Sequence, residues 1–375
     1  MVFRLSYRAA ALVMVLLTGC AARPPADVLV PIANAPSYTA KADMLVATTR
    51  ERGTTADPEA FSSRRARKLN FAALRVSIPR DHTAGEIEWP DAGTPDAAKD
   101  FVTTERDSLD MSGFLDRIRS NAQRGGPETH SVLVFVHGYN NLYQESVFRF
   151  AQIIHDGKFG GTNVLFSWPS RGETQLYLAD RESVVYSRDY LEEALQKIAS
   201  LPEVHEINIL GHSMGSALVM ETLRQAKFKG HGNFNGKLNN VIIASPDIDV
   251  EVFQTQLDAI GRMRQPLTVL ISSDDAALKL SRFLAGGVDR VGVVSADDPR
   301  VIADAAEYNV RVYDLSEIKT NELLQHDKFA ESGPLVAAIG RGLASEEIGK
   351  AGIIDAATAL GKAMISVPSA MIGAQ

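Results

Sequence analysis

The sequence predicts one α/β domain: a doubly wound, mostly parallel sheet with helices on both faces. Three observations predict it. Apolar runs of strand length recur at residues 44–47, 74–78, 132–136, 164–168, 207–210, 241–244, 267–272 and 310–313. From residue 132 onward they alternate with helical stretches at 144–156, 182–200, 213–225, 250–260, 276–284 and 335–343. Continuously apolar strands indicate burial on both faces, and the alternation supplies the crossover that each parallel pair requires. The third observation is composition: 375 residues, 45% hydrophobic and 23% charged, provide material for a large core. A formal net charge of −7 without a basic block argues against nucleic acid as a partner.

Residues 1–19 read as a secretory signal. Arg4 and Arg8 precede nine apolar residues, 9–17, which are too few to span a bilayer. The run ends in Leu17-Thr18-Gly19-Cys20, which resembles a bacterial lipobox. That resemblance implies cleavage before Cys20, its lipidation, and a membrane-anchored protein of the bacterial cell envelope. Ala21 behind it implies the outer membrane in a Gram-negative host, facing the periplasm or the surface. Cys20 is the sole cysteine, so no disulfide forms within the chain. Residues 20–42, with Pro24, Pro25, Pro31 and Pro36, are expected to form a flexible tether to a domain spanning 43–343.

Within that domain the strands at 44–47 and 74–78 lack crossover helices and are expected as an antiparallel edge. Residues 49–70 and 91–126 are polar and read as irregular surface elaborations, apart from a helical pattern near 114–118. The 91–130 stretch is a candidate cover for the site. No internal repeat is found. Residues 344–375 are expected as a helical or partly disordered tail. Its alanine-rich apolar face and non-basic polar face argue against a membrane-lying helix.

The strand at 207–210 runs into Gly211-His212-Ser213-Met214-Gly215 and then into a helix. Strand, Gly-x-Ser-x-Gly and helix form the context of a nucleophile elbow. A serine hydroxyl attacks well only when it stands clear of the backbone beside a base. The sharp turn that exposes it crowds its flanks, which explains Gly211 and Gly215.

The base is sought among eight histidines. Sites on a parallel sheet form beyond the carboxyl ends of its strands. His205 and His231 precede strands and fall on the opposite edge. His155 lies in a helical stretch, His82 and His130 lie before the main run, and His212 is read as pointing away from its neighbour. His326, in a polar loop after the strand at 310–313, remains.

For the acid, Asp275 follows the strand at 267–272 and is the first choice. Asp274 is the close alternative, otherwise a helix N-cap. Asp247, after the strand at 241–244, is a further alternative with a more structural reading. Chain order is then Ser…Asp…His.

The oxyanion requires two backbone N–H groups. Met214, directly after the serine, supplies one. Tyr139, in the loop His137-Gly138-Tyr139-Asn140-Asn141 after the strand at 132–136, supplies the other. His137 reads as a residue that fixes this loop, close to the pocket. Trp168, Tyr177 and the turn at Arg171 and Gly172 follow another strand's carboxyl end and are candidate pocket walls; Trp168 reads equally well as core.

Taken together, these residues resemble the alpha/beta-hydrolase fold and, within it, an uncharacterised bacterial esterase/lipase-like family. The resemblance covers about residues 43–343 and rests on Phe135-Val136-His137-Gly138-Tyr139-Asn140, Phe166-Ser167-Trp168-Pro169-Ser170, the elbow, Ser245-Pro246-Asp247-Ile248-Asp249, Ser273-Asp274-Asp275 with Ala277-Leu278, and His326. Ala47-Thr48-Thr49-Arg50 and Glu86-Ile87-Glu88-Trp89-Pro90 are similar to its N-terminal part. The family pattern has a single aspartate before the Ala-Leu pair; this matches Asp275 without excluding Asp274.

The expected activity is hydrolysis of a small ester or lipid-like substrate through a Ser213–His326–Asp275 triad. Two alternatives stay open: acyl transfer to an alcohol or amine by the same residues, and a membrane-tethered binding protein on an inactive hydrolase fold. No metal or organic cofactor is expected, since the chain has no His-Glu-x-x-His helix, Cys/His ligand cluster or phosphate-binding glycine loop. Oligomeric state is not encoded in any motif.

Overall fold

The alternation of strands and helices builds a single sheet. A computed structural model describes residues 23–344, apart from 34, 55–59, 91–94, 297 and 322, together with 364–365. The expected signal peptide at 1–19, Cys20 and nearly all of the tail at 344–375 lie outside the described residues.

The chain begins with three strands, β1 (Ala40–Arg52), β2 (Phe61–Ile78) and β3 (Val102–Leu109), followed by α1 (Met111–Arg124). Alternation then runs through β4 (Ser131–Val136), α2 (Tyr143–Gly157), β5 (Thr162–Ser167), α3 (Tyr177–Ala199), β6 (Glu206–His212) and α4 (Met214–Phe228). It continues with β7 (Leu238–Ala244), α5 (Val250–Ile260), β8 (Leu267–Ile271), α6 (Ala276–Leu284), α7 (Pro299–Tyr308) and β9 (Val310–Asp314). Among the described residues the last helices are α8 (Lys328–Glu331) and α9 (Gly333–Ala344), and the last strand is the two-residue β10 (Met364–Ile365).

The sheet order is β10-β9-β8-β7-β6-β4-β5-β1-β2-β3. β1 and β4 to β9 pair in parallel, whereas β1–β2, β2–β3 and β9–β10 are antiparallel. The expected doubly wound sheet with an antiparallel edge is therefore present. Alternate residues of the central strands bury on opposite faces. Val132, Val134 and Val136 of β4 join Ile207 and Ile209 of β6 beneath α3 and α4. Leu133 and Phe135 face the other way, with Leu165, Leu210 and Ile242, beneath α2 and α9. From β4 the chain passes to β5 on one side and then crosses to β6 on the other. The loops leaving β4 and β6 consequently diverge, opening a crevice at the carboxyl ends of those two strands.

Three expectations change. The stretch 49–70 is largely regular: β1 and β2 extend as a twisted ribbon, bulged between Thr48 and Arg52. Its outer half carries exposed Arg64, Arg67 and Lys68 and buries only Phe61, Ala66 and Leu69, so it lacks an apolar run. Likewise β3 is a polar edge strand. It lies at the end of the sheet far from β6, and no described residue of 91–130 covers the crevice.

Nor are residues 23–42 a tether where they are described. Val28 and Leu29 are buried in a short 3-10 turn, Ala26–Leu29. Ile32 N–H donates to the Thr103 carbonyl at 2.9 Å, and the Thr103 hydroxyl donates to the Val28 carbonyl at 3.1 Å. The prolines suggested an extended linker, but this apolar pair gives it a seat on the domain.

His82, in the loop after β2, is clamped between Glu88 (2.7 Å) and Asp156 of α2 (3.0 Å). Burial opposes its charge, but the two carboxylates outweigh burial and raise its pKa. The imidazolium thus contributes stability that is complete below the unfolded value of about 6.5 and is lost as pH rises through the folded pKa. Thermal unfolding should show Tm declining above about pH 6.5, with the decline flattened in His82→Gln. Parallel curves for the two proteins would rule out a charged His82.

Candidate active site

Ser213 sits where β6 passes into α4, with φ 52° and ψ −122°. A side chain at positive φ is strained, so the neighbours must hold it. Ser213 N–H donates to the Ala244 carbonyl (2.9 Å), and its own carbonyl accepts from Ser216 (3.0 Å) and Asp247 (3.2 Å). The glycines serve close approach. A Cβ on Gly215 would lie 2.4 Å from the carbonyl oxygens of both Val136 and His137. A Cβ on Gly211 would lie 3.1 Å from Ser216 Cα. Across the crevice, a Cβ on Gly138 would lie 3.0 Å from Ser213 Cβ. Since backbone cannot yield as a side chain can, Gly215→Ala should cost about 1–3 kcal/mol. Urea unfolding checks this; an unchanged midpoint would contradict the packing.

Asp275 is fully buried and holds two partners. Its Oδ1 caps α6 by accepting from Leu278 N–H at 2.9 Å, and its Oδ2 lies 2.6 Å from His326 Nδ1. A proton on Nδ1 leaves Nε2 as the acceptor, the tautomer a general base requires. The His326 loop is tied down by Ala276 N–H to the Leu324 carbonyl (2.9 Å) and the Ser245 hydroxyl to the His326 carbonyl (3.0 Å).

Asp274 turns elsewhere. It pairs with Lys328 (2.6 Å) and Lys319 (3.1 Å) and accepts from Ser272. Partial burial pushes its carboxyl up, but these three partners hold it down at about 2. Asp275, the first choice, is the aspartate that faces the histidine, and the N-cap position expected for Asp274 also falls to Asp275. Asp247 is occupied by Tyr177 (2.9 Å), Ser281 (2.6 Å) and Arg290 (3.2 Å) in a buried network.

Ser213, His326, Tyr139, Tyr177 and Asp247 line one cavity of about 370 Å³, with Leu278, Leu280, Leu284 and Leu324 as an apolar wall. Among the described residues, no protein group accepts from the Tyr139 or Met214 amide. Tyr139 lines the cavity beside Ser213, and Met214 follows Ser213 directly in the chain.

Two candidates for the pocket do not line it. Trp168 is fully buried, donates its indole N–H to the His137 carbonyl (2.7 Å) and stacks on the His137 ring. His137 is itself buried, with Nδ1 2.9 Å from the Gly138 carbonyl and Nε2 3.3 Å from Ser167 Oγ. Burial, aided by Arg50, pushes it down to about 3, so it is neutral and spans the loop.

Four residues were not anticipated in these places. His212 does not point away: its ring centre lies 4.7 Å from that of His326, and its Nε2 lies 3.2 Å from Asp327. Burial above all pushes it down to about 4, so it adds no charge beside His326. Buried Arg50 reaches the Asn141 carbonyl (3.1 Å) and the Ser170 carbonyl (3.3 Å) beneath the Tyr139 loop. Asp180 accepts from the Ser170 hydroxyl (2.6 Å) and the Arg171 amide (2.8 Å), and burial raises its pKa. Arg23 lies in the cavity wall. The Thr48-Thr49-Arg50 motif was the sole sequence signal for any of them.

Among the described residues, His82, His155 and Asp156 bring metal-ligand types within 4.8 Å of one another. They lie outside the cavity, and both His82 nitrogens already face carboxylates.

No curated protein matches the chain. Solved structures similar to it include a candidate cell surface hydrolase from Lactobacillus plantarum WCFS1, 11% identical, covering 56% of this chain and 89% of that one at a TM-score of 0.33. Another comes from a study of two fungal esterases from Rhizomucor miehei, 10% identical, covering 90% and 96% of the respective chains at a TM-score of 0.35. The family described as "Alpha/beta hydrolase of unknown function (DUF900)" matches residues 120–342, more than half of the chain. The chain belongs to this alpha/beta-hydrolase family.

Proposed function

We propose that the protein hydrolyses carboxylic esters through an acyl-enzyme on Ser213. The observation that carries this reading is the 2.6 Å Asp275–His326 pair, whose histidine lines the same cavity as Ser213 at its strained elbow. Ser213 Oγ attacks the ester carbonyl while His326 Nε2 takes its proton. Asp275 holds the ring and stabilises the imidazolium. The Met214 and Tyr139 amides bind the oxyanion. As the tetrahedral intermediate collapses, His326 passes the proton to the leaving alcohol. Water then enters, loses a proton to His326, and attacks the acyl group; collapse releases the acid and returns the proton to Ser213. The apolar wall of Leu278, Leu280 and Leu284 suits an acyl chain.

An ester series graded by acyl length, offered to the full chain in detergent with Ser213→Ala beside it, tests the reading. Hydrolysis by the wild type alone is the expected result. Equal rates for the two proteins would overturn it.

Cys20 lipidation, with residence at the bacterial envelope, completes the proposal. Its support is the lipobox-like Leu17-Thr18-Gly19-Cys20 and the absence of any other cysteine. Acyl labelling and membrane fractionation should both be lost in Cys20→Ser.

A further inference from the structure

We infer that the cavity mouth is held against a lipid bilayer, so that Ser213 draws its ester from the membrane surface; this rests on the esterase reading and on Cys20 lipidation above. The first observation is where the N-terminal segment ends. Arg23 is in the cavity wall, with Nη1 2.9 Å from Glu145 and Nη2 2.9 Å from the Asn140 carbonyl, the residue after Tyr139. Pro24 is fixed too, its carbonyl accepting from Gln144 at 2.9 Å. Behind them Val28 and Leu29 are buried. The segment is therefore strapped down up to the mouth of the site.

Cys20 lies three residues before Arg23. Three residues span at most about 11 Å. An acyl anchor on Cys20 cannot let the bilayer retreat further from the mouth than that. A long flexible tether would have left the orientation free; this one does not.

The second observation is the rim. Leu284 and Leu324 line the cavity and are also half exposed, at 49% each. Beside them Phe283 is 78% exposed and Leu323 94% exposed, and Leu178, next to the wall residue Tyr177, is 73% exposed. α6 and the His326 loop, which carry most of them, are joined by the Ala276–Leu324 hydrogen bond. Exposed large apolar side chains at, and next in sequence to, the residues that line one opening mark a surface that meets an apolar partner. The anchor makes that partner the acyl layer of the bilayer.

The test uses the full chain, purified from membranes and placed in vesicles of phosphatidylethanolamine and phosphatidylglycerol. Because Cys20 is the sole cysteine, a nitroxide can be attached in Phe283→Cys, Leu323→Cys or, at the opposite edge of the sheet, Glu128→Cys. Labels at 283 and 323 should collide with oxygen as lipid-buried probes do, and the label at 128 with a water-soluble nickel complex. Labels at 283 and 323 that stay aqueous would overturn the inference. So would strong dipolar coupling between copies without lipid contact, which would assign the face to a second chain. In Phe283→Asp with Leu323→Asp, hydrolysis of an ester held in the vesicles should fall about tenfold relative to a soluble short-chain ester. An unchanged ratio would also overturn the inference. Lipid contact at 283 and 323 in a protein that hydrolyses neither ester would instead remove the esterase reading and leave the docking surface.

Discussion

Ser213→Ala is expected to lower the proposed ester hydrolysis on the order of a millionfold, leaving only what oxyanion and substrate binding supply. A loss this large is expected because, in the proposed mechanism, Ser213, His326 and Asp275 act as one unit; without the serine hydroxyl, the 2.6 Å Asp275–His326 pair has no proton to receive from the protein. Stability tells a separate story. Ser213→Ala keeps a Cβ at φ 52°, so the backbone strain stays. Ser213→Gly removes both hydroxyl and Cβ and should be more stable than the alanine variant by about 1 kcal/mol. Strain retained only when the serine side chain is needed is what a trade between stability and activity looks like. Initial rates and urea unfolding on the three proteins check both halves. A serine variant that keeps even a tenth of the wild-type rate would place the chemistry elsewhere.

Asp275→Asn should lower kcat about 10⁴-fold while the protein stays folded. Asparagine caps a helix about as well as aspartate, so the 2.9 Å bond from Leu278 N–H survives. What changes is the bond to His326. An amide N–H facing Nδ1 favours the tautomer with its proton on Nε2, and the base is then blocked at the nitrogen that must accept. Asp275→Ala adds the loss of the cap, about 1 kcal/mol of stability, so the two substitutions separate capping from catalysis. Asp274→Asn is the matched control. Its carboxylate is held by Lys328 and Lys319, away from His326, and its replacement should leave kcat within about twofold of wild type while lowering stability slightly. A large fall in kcat for Asp274→Asn with none for Asp275→Asn would exchange the two aspartates.

The contrast between these neighbours shows what was legible in the sequence. That an acid stands after the strand now seen as β8 follows from topology, because the edge where sites form is set by strand direction. Which of two adjacent aspartates faces the histidine depends on lysines at 319 and 328, whose approach no local pattern announces. The central strands were readable because burial on both faces leaves an uninterrupted apolar run, as in Val132 to Val136. β3 and the outer half of β2 were not, because a ribbon at the sheet's edge is wetted and its alternation is broken by Arg64, Arg67 and Lys68. The same holds for Arg50 and Asp180. A buried charge in a polar stretch resembles any surface charge until its partners, such as Ser170 and Asn141, are brought up from elsewhere in the chain. For Trp168 the sequence leaves pocket wall and core equally open. It follows the carboxyl end of a strand, and its indole turns inward to the His137 carbonyl, which makes it core and a brace for the loop that carries Tyr139.

One measurement bears most directly on the nucleophile. The folded full-length protein is treated with a fluorophosphonate, digested and analysed by mass spectrometry. The account predicts a single adduct on the peptide carrying Ser213, absent from Ser213→Ala and greatly slowed in His326→Ala. A folded wild type that takes up no probe, or one modified at another serine with Ser213 untouched, would contradict it.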